Sequence, residues 1–326
     1  MDKWLRSRLV CPRDKEKLDF RNEQLVCSKD HRYKVIDDVP VMLVDDVEST
    51  HDYIKMTLEN SPHTETETQD RQDDSIDQND IDEFVQGEVP YTSGNLYFSV
   101  QHKLTRYPIP ECRLKQGNGE RLLDIGCNWG RWTIAAARKG YRPVGIDPSL
   151  KAVLAARRVS KQLGVDTGFI VGDARFLPFA DDSFDTVFSY GVFQHFSKEN
   201  VRISLDEVVR VLKLNGNTLI QMPNQYGIRQ YQQHRRRGFT EGEGFEVRYW
   251  TPKELMDTFE SKFGDTIMTT DCYFGLGIQE SDVDLLPPRY KIVVYSSGVL
   301  RKISNVIKPL TKVADSVYLE SRNQKK

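Results

Sequence analysis

The sequence predicts an α/β fold: a doubly wound, mostly parallel seven-stranded sheet, preceded by a small N-terminal β-rich module. Three observations lead there. From residue 121 onward, apolar runs of strand length alternate with stretches of helical period, the pattern of parallel βαβ units. Before that, a polar stretch from about Glu59 to Asp82 carries almost no apolar residues, so it buries too little surface to offset its ordering entropy. Earlier still, short apolar runs broken by turn residues fill the first 47 positions. The expected division is therefore a module at 1–47, a flexible acidic linker at 48–88, and a full domain at 89–326 with an insertion at 224–250.

In the module, Leu9–Cys11, Leu25–Cys27, Tyr33–Ile36 and Pro40–Val44 read as short strands. In the domain the first strand is Arg121–Ile125, and an alanine-rich helix at 130–139 ends at Gly140. Pro143–Ile146 is the second strand. The helix after it is capped by Ser149 and stopped by Gly164, the usual punctuation of a helix. Thr167–Val171 and Phe184–Tyr190 are the third and fourth strands. A helix at 200–212 follows, with Val201, Leu205, Val208, Val209 and Leu212 on one face. Thr218–Met222 is the fifth strand, stopped by Pro223. After the insertion, Thr251 with Pro252 and Glu254 makes a capping box that starts a helix. Strands around Thr266–Tyr273 and Lys291–Tyr295 complete seven.

Bulk composition restricts the setting. The 326 residues carry 46 basic and 48 acidic side chains, a net charge of −2. That balance does not call for nucleic acid, and no nucleic-acid partner is expected. Five cysteines, an odd number in a large chain, argue against a disulfide framework. The N-terminus has no apolar signal-like stretch, and the purely apolar runs are too short to span a bilayer. A cytoplasmic location is expected. The amphipathic stretch Val299–Val313, with lysines and an arginine off its apolar face, fits either peripheral contact with a membrane or packing on the protein's own sheet.

The chemistry is concentrated at three strand ends. At the first, Asp124-x-Gly126-x-Asn128-x-Gly130 turns a strand into a helix. Glycines there permit a tight turn and close approach of a ligand, and the helix start presents free N–H groups. A dinucleotide site would need glycine at 128 and 131; Asn128 and Arg131 stand there instead. Asp147 ends the second strand and Asp173 the third. Ligands on such sheets bind at the carboxyl ends of strands, where strand order reverses.

This run resembles the first motif of class I S-adenosylmethionine-dependent methyltransferases of the type 11 kind, Asp/Glu-x-Gly-x-Gly-x-Gly, with Asn128 in place of the middle glycine. The resemblance covers roughly residues 120–222, including Phe179–Val187 and Tyr190–Phe196. It implies the Rossmann-like methyltransferase fold, the cofactor S-adenosyl-L-methionine, and methyl transfer. It places Asp124, Gly126, Asn128 and Gly130 at the cofactor loop, Asp147 on the ribose hydroxyls, and Asp173 with the Ala174 backbone at the adenine. Tyr190 is expected to line the cofactor site. His195 is the candidate acid or base; the competing reading is a histidine that orders its loop. The segment Tyr91–Tyr97 is a candidate lid. Arg229–Arg237, together with Phe239, Phe245, Tyr249 and Trp250, either shapes an acceptor site or packs the insertion down. The implied acceptor is a small molecule, a sugar or a lipid-linked precursor. RNA or a translation factor as acceptor, and a non-catalytic cofactor-binding scaffold, are the alternatives.

In the module, Cys11-x-x-Asp14 and Cys27-x-x-Asp30 have the spacing of paired zinc knuckles with aspartate as the second member. With the run up to Leu43, they resemble small zinc-ribbon-type methyltransferase activator proteins, some of which have lost the metal. Cys11, Cys27, Asp14 and either Asp30 or His31 would form such a site. Structural zinc prefers thiolate and imidazole, so the expectation is a module without metal, held by apolar packing.

Overall fold

The computed structural model describes residues 1–48, 52–60 and 80–324. A short helix α1 (Lys3–Arg8) leads into a four-stranded antiparallel sheet, β1 (Leu18–Arg21), β2 (Gln24–Cys27), β3 (Arg32–Ile36) and β4 (Val39–Pro40), in that order. Leu9 and Val41, expected inside strands, make isolated bridges to Phe179 and Val171. The module thus lies along the larger domain. The Met42 N–H donates to the Val171 carbonyl and the Val10 N–H to that of Pro178. Leu5, Leu9 and Met42 share a core with Ile170 and Phe179.

The expected linker, 48–88, holds helix α2 (Asp52–Asn60) and the first half of α3 (Glu83–Ser93). Residues 49–51 and 61–79 of that linker lie outside the described residues. Ile54 buries against Val153 and Leu150, and the Thr57 hydroxyl donates to the Pro148 carbonyl. Asp82 caps α3 by accepting from the Phe84 N–H, and its other oxygen binds Arg158. These two ends therefore behave as parts of the domain, because each buries apolar side chains on the second βα unit.

The domain proper runs β5 (Arg121–Ile125), α4 (Arg131–Arg138), β6 (Arg142–Asp147), α5 (Leu150–Gln162), β7 (Gly168–Val171), β8 (Phe184–Ser189), α6 (Lys198–Val211), β9 (Leu212–Pro223), α7 (Ile228–Arg236), α8 (Pro252–Phe263), β10 (Thr266–Cys272), α9 (Pro288–Val306) and β11 (Ser316–Arg322). The seven-stranded sheet has the order β10-β11-β9-β8-β5-β6-β7. Five neighbours from β9 to β7 are parallel; β11 enters antiparallel between β9 and β10. The chain winds outward from β5 to β7, then crosses back to β8, so the reversal of strand order falls between β5 and β8. One face packs Ile125, Ile146, Ile170, Val187 and Ile220 with Val201, Leu205 and Val208 of α6. Another core joins Trp129, Ile134, Ala155 and Val159 to Val85, Val89 and Tyr97.

The last expected strand is misplaced. Lys291–Tyr295 lies inside α9, and the seventh strand is β11. The β-branched and aromatic run reads as a strand by propensity alone. In the fold, Pro288 opens a helix there, and only Val294 of the run is buried. Tertiary context overrides propensity of this size. The insertion 224–250 contains α7. The capping box at Thr251 forms as expected, with Thr251 and Glu254 exchanging side-chain and backbone hydrogen bonds.

Candidate functional site

The carboxyl ends of the central strands open onto a cavity of about 430 Å³, a size that suits a small-molecule ligand. Strand ends supply Ile125, Gly126, Asn128, Asp147, Asp173 and Ala174 to its wall. A second wall comes from residues 90–96, a third from 274–278, and a fourth from Tyr190, His195, Arg229, Gln230 and Phe245.

The β5 turn holds three left-handed residues, of which two line the cavity. Gly126 has φ +74°, and a Cβ there would sit 2.1 Å from Val192 Cγ2. Asn128 has φ +45°, and its side-chain Oδ1 accepts from the Trp129 N–H at 2.8 Å. Asparagine tolerates this geometry because its short polar chain bonds locally. Gly130, at φ +81°, faces Ala156 and Phe169 and serves close packing of α4; it does not line the cavity.

Asp124 and Asp147 differ in what they face. Asp124 is buried beneath the turn, accepts from the Thr133 hydroxyl at 2.6 Å, and is not part of the cavity wall. Burial pushes its carboxyl up to about 7, with nearby Asp147 adding to the effect. Asp147 lines the cavity. Its Oδ2 accepts from the Asn128 N–H at 3.0 Å and its Oδ1 from the Ser149 N–H at 2.9 Å. Burial raises it to about 6 against the pull of these two bonds. Each oxygen keeps a lone pair for a further donor.

Asp173 also reaches the wall, but its carboxylate is occupied. It accepts from the Arg175 N–H and is gripped side-on by the Arg175 guanidinium at 2.7 to 3.2 Å. The adjacent backbone at Ala174 remains part of the cavity.

Tyr190 presents its ring, tilted 33° against Trp132 with centroids 4.6 Å apart. Its hydroxyl donates to Asp271 Oδ2 at 2.8 Å and accepts from Gln279 Nε2 at 3.0 Å. Ser316 donates to the same Asp271 oxygen, and Arg113 lies 3.0 Å from the other. This buried network fixes the ring and holds the phenol well above its usual range, through burial first and Asp271 second.

His195 lies in the wall with both ring nitrogens engaged. Nδ1 is 2.7 Å from the Phe245 carbonyl and Nε2 is 3.1 Å from the Gln194 side-chain nitrogen. A carbonyl can only accept, so Nδ1 carries the proton of the neutral ring and Nε2 accepts. The ring stacks on Phe245 at 3.8 Å, and Arg248 donates to the His195 carbonyl. This is the geometry of the loop-ordering reading.

Residues 91–97 sit where a lid was expected. A Cβ on Gly94 would lie 2.8 Å from the Leu276 carbonyl oxygen, and one on Gly277 2.3 Å from that of Ser93. The two cavity walls therefore meet backbone to backbone. Tyr97 donates to Asp282, which also binds the Arg131 guanidinium at 3.0 Å, all three buried. Of the basic insertion, Arg229 reaches the cavity, and its guanidinium donates to the Phe274 carbonyl at 3.4 Å. Arg235–Arg237 do not. Phe245 lines the cavity, whereas Phe239, Tyr249 and Trp250 pack the insertion down.

Sequence reading missed Asp271, Gln279, Asp282 and the 274–278 wall. They meet the site from far along the chain, and only the Gly275 and Gly277 pair carries a local signal of tight backbone.

In the module, one ligand atom each from Cys11, Asp14, Cys27 and His31 falls within 4.8 Å of the others. His31 Nδ1 lies 3.4 Å from Cys11 Sγ, 3.3 Å from Cys27 Sγ and 3.3 Å from Asp14 Oδ2. Asp30 turns away and pairs with Arg32. All five cysteines are free thiols. No described helix is long and apolar enough to cross a membrane.

Residues 122–216 match the family model described as a methyltransferase domain. An uncharacterized methyltransferase, YcgJ, from Bacillus subtilis is 36% identical over 111 residues, 34% of this chain and 42% of that protein. A demethylmenaquinone methyltransferase from Clavibacter sepedonicus is 39% identical over 107 residues, 31% of this chain and 40% of that protein. The matched part thus spans about two fifths of the length of these curated relatives. Among solved structures, a SAM-dependent methyltransferase from Methanosarcina mazei superposes with a TM-score of 0.46 at 18% identity, covering 68% of this chain and all of that one.

Proposed function

We propose that this chain is an S-adenosylmethionine-dependent methyltransferase acting on a small-molecule or lipid-linked acceptor. The observation that carries the reading is Asp147. It is a buried carboxylate at a strand end, with each oxygen already ordered by one backbone N–H, facing a cavity beside the glycine turn at 126.

The cavity suits the cofactor. Asp147 offers two oriented lone pairs to a ribose diol, and Gly126 and Gly172 line the same cavity. Ser93 Oγ and Gln230 Oε1 are buried in the wall with no hydrogen-bond partner among the described residues. Buried polar atoms are rarely left so, and a polar ligand would satisfy them. When bound, S-adenosylmethionine supplies an electrophilic sulfonium methyl group. The chain's own task is alignment and exclusion of water. Asp147 holds and orients, Tyr190 and the walls at 91–96 and 274–278 enclose, and Asp173 serves through its position beside Ala174 while paired with Arg175. Arg229 is the cation available to an anionic group on the acceptor. His195 orders the loop that bears Phe245.

The N-terminal module completes the reading as a zinc-ribbon-type piece. Cys11, Asp14, Cys27 and His31 would hold one zinc ion. Their mutual spacing fits four donors on one tetrahedral ion, given zinc–sulfur and zinc–nitrogen bonds of about 2.0–2.3 Å. That revises the expectation of a metal-free module, because of the two candidate fourth donors the fold brings the imidazole of His31, not Asp30, beside the cysteines.

Titration calorimetry with S-adenosylmethionine, on wild type and Asp147→Ala, tests the reading. Binding by the wild type that is lost in the variant is expected. No heat in either sinks it. Transfer of a labelled methyl group into a cell extract then identifies the acceptor.

A further inference from the structure

Helix α9 carries a feature that the active-site reading does not use. Ile292, Tyr295, Val299, Ile303 and Val306 recur at steps of three and four along it, so they form one stripe. The whole stripe is exposed, up to 72% at Ile292 and 83% at Val306. The opposite face is the buried one. Ser297 accepts from the Tyr273 N–H, Ser304 bonds the Tyr273 hydroxyl, and Gly298 lies against Glu280. These contacts lock the roll of the helix, so the apolar stripe cannot turn inward. Of the two uses open to this stretch, packing of the apolar stripe on the protein's own sheet is not the one seen: Val294, Ser297, Gly298 and Ser304 are the buried residues of the helix.

Charge says what covers the stripe. From residue 285 to residue 314 the chain has no aspartate or glutamate and six Lys or Arg. Arg301 pairs with Glu280. The other five, Arg289, Lys291, Lys302, Lys308 and Lys312, have no carboxylate within 4.0 Å among the described residues. On a helical projection Lys291 and Lys302 flank one side of the stripe and Arg289 the other. Beyond the helix, Ile307 and Val313 continue the exposed apolar surface beside Lys308 and Lys312.

We propose that α9 and the turn after it dock on an anionic lipid surface, with the stripe entering the headgroup boundary and the cations meeting lipid phosphates and carboxylates. An apolar face bordered by unpaired cations is the composition that binds such surfaces. A second copy of the chain fits worse. A two-fold contact would set these cations against their own counterparts. The site also has a bearing on the cavity: α9 packs on β10, and Val294 shares a core with Ile278 of the cavity wall. Docking itself does not depend on the methyl-transfer reading.

Flotation of the full chain with vesicles tests it. Vesicles of phosphatidylcholine alone are compared with vesicles holding roughly a third phosphatidylserine, in low and high salt, since surface electrostatics fades within a Debye length. Binding to the anionic vesicles, at least about tenfold weaker to neutral ones and reversed by salt, is expected. The variant Ile292→Ser with Val299→Ser and Val306→Ser should lose it. So should Lys302→Glu with Lys308→Glu. All five positions are on the surface, so melting temperature should stay near wild type, and any variant that melts early is replaced by the other. Equal binding to both vesicle types, no binding to either, or wild-type binding by a folded variant overturns the proposal. Dimerisation in sedimentation that the serine variant abolishes, without vesicle binding, assigns the stripe to a second copy instead. Failure to bind S-adenosylmethionine leaves this result untouched.

Discussion

Asn128 and Asp147 are tied across neighbouring strand ends: the backbone N–H of Asn128 donates to Asp147 Oδ2 at 3.0 Å. The irregular residue of the first turn thus orders the carboxylate of the second. Asn128 itself sits in left-handed backbone, and the Ser149 N–H holds the other oxygen. Replacing Asp147 by Ala removes a ligand acceptor and frees two backbone donors. Affinity for S-adenosylmethionine should fall about 10- to 100-fold, the size of one to two charge-assisted hydrogen bonds. Calorimetry measures it, with melting temperature as a control for folding.

The same carboxylate sets a pH dependence. Its folded value is raised to about 6 by burial, and hydroxyl donors bind the ionised form. Affinity should be flat above about pH 7 and fall towards tenfold per unit below about 6. Asp124, raised to about 7, faces Thr133 rather than the cavity. The inflection should therefore vanish in Asp147→Asn and persist in Asp124→Asn.

Gly126 is a backbone requirement. Alanine there meets Val192 at 2.1 Å and must hold φ near +74°. Gly126→Ala should destabilise by about 2–4 kcal/mol, combining overpacking and left-handed strain. Adding Val192→Ala should restore part of that, since it relieves the clash and leaves the strain. Denaturant midpoints of the single and double variants give the two contributions.

His195→Asn separates the two readings of this residue. A general base contributes about 10²- to 10⁴-fold. A loop-ordering histidine with both nitrogens engaged should cost less than about tenfold in turnover. The pH profile of kcat should keep its shape. Phe245→Ala, which removes the stacking partner, should match it in effect.

Elemental analysis of the purified protein should find about one zinc per chain. Cys11→Ser with Cys27→Ser should remove it and lower the melting temperature, because metal binding contributes directly to folding. Asp30→Ala should keep the metal, as Asp30 is engaged by Arg32, while His31→Ala should lose it. Zinc retained in the double cysteine variant would place the ion elsewhere.

Much of the domain is legible without coordinates. The parallel strands from Arg121 to Met222, the Ser149 cap, the Thr251 capping box and the carboxylate at Asp147 all lie in local sequence. Each depends on neighbours within a few residues: a turn glycine, a cap, an apolar period. Asp124, by contrast, reads as a cavity residue until burial under Thr133 is seen, and Asp173 reads as free until Arg175 grips it. For Asp124 packing chooses, since a residue at a strand end can point toward the cavity or away; Asp173 does reach the wall, where the Arg175 guanidinium engages its carboxylate.

What the sequence alone determined is the α/β domain, its order of strands and helices through β9, and the turn that rejects a dinucleotide. Those follow from short-range stereochemistry and from the periods of strand and helix. Only the tertiary structure decided that β11 slips antiparallel between β9 and β10, and that the run at 291–295 is helical. It likewise chose His31 over Asp30 beside the cysteines, and tied Tyr190 to Asp271, 81 residues along the chain. These depend on which surfaces meet, and no local propensity carries that energy.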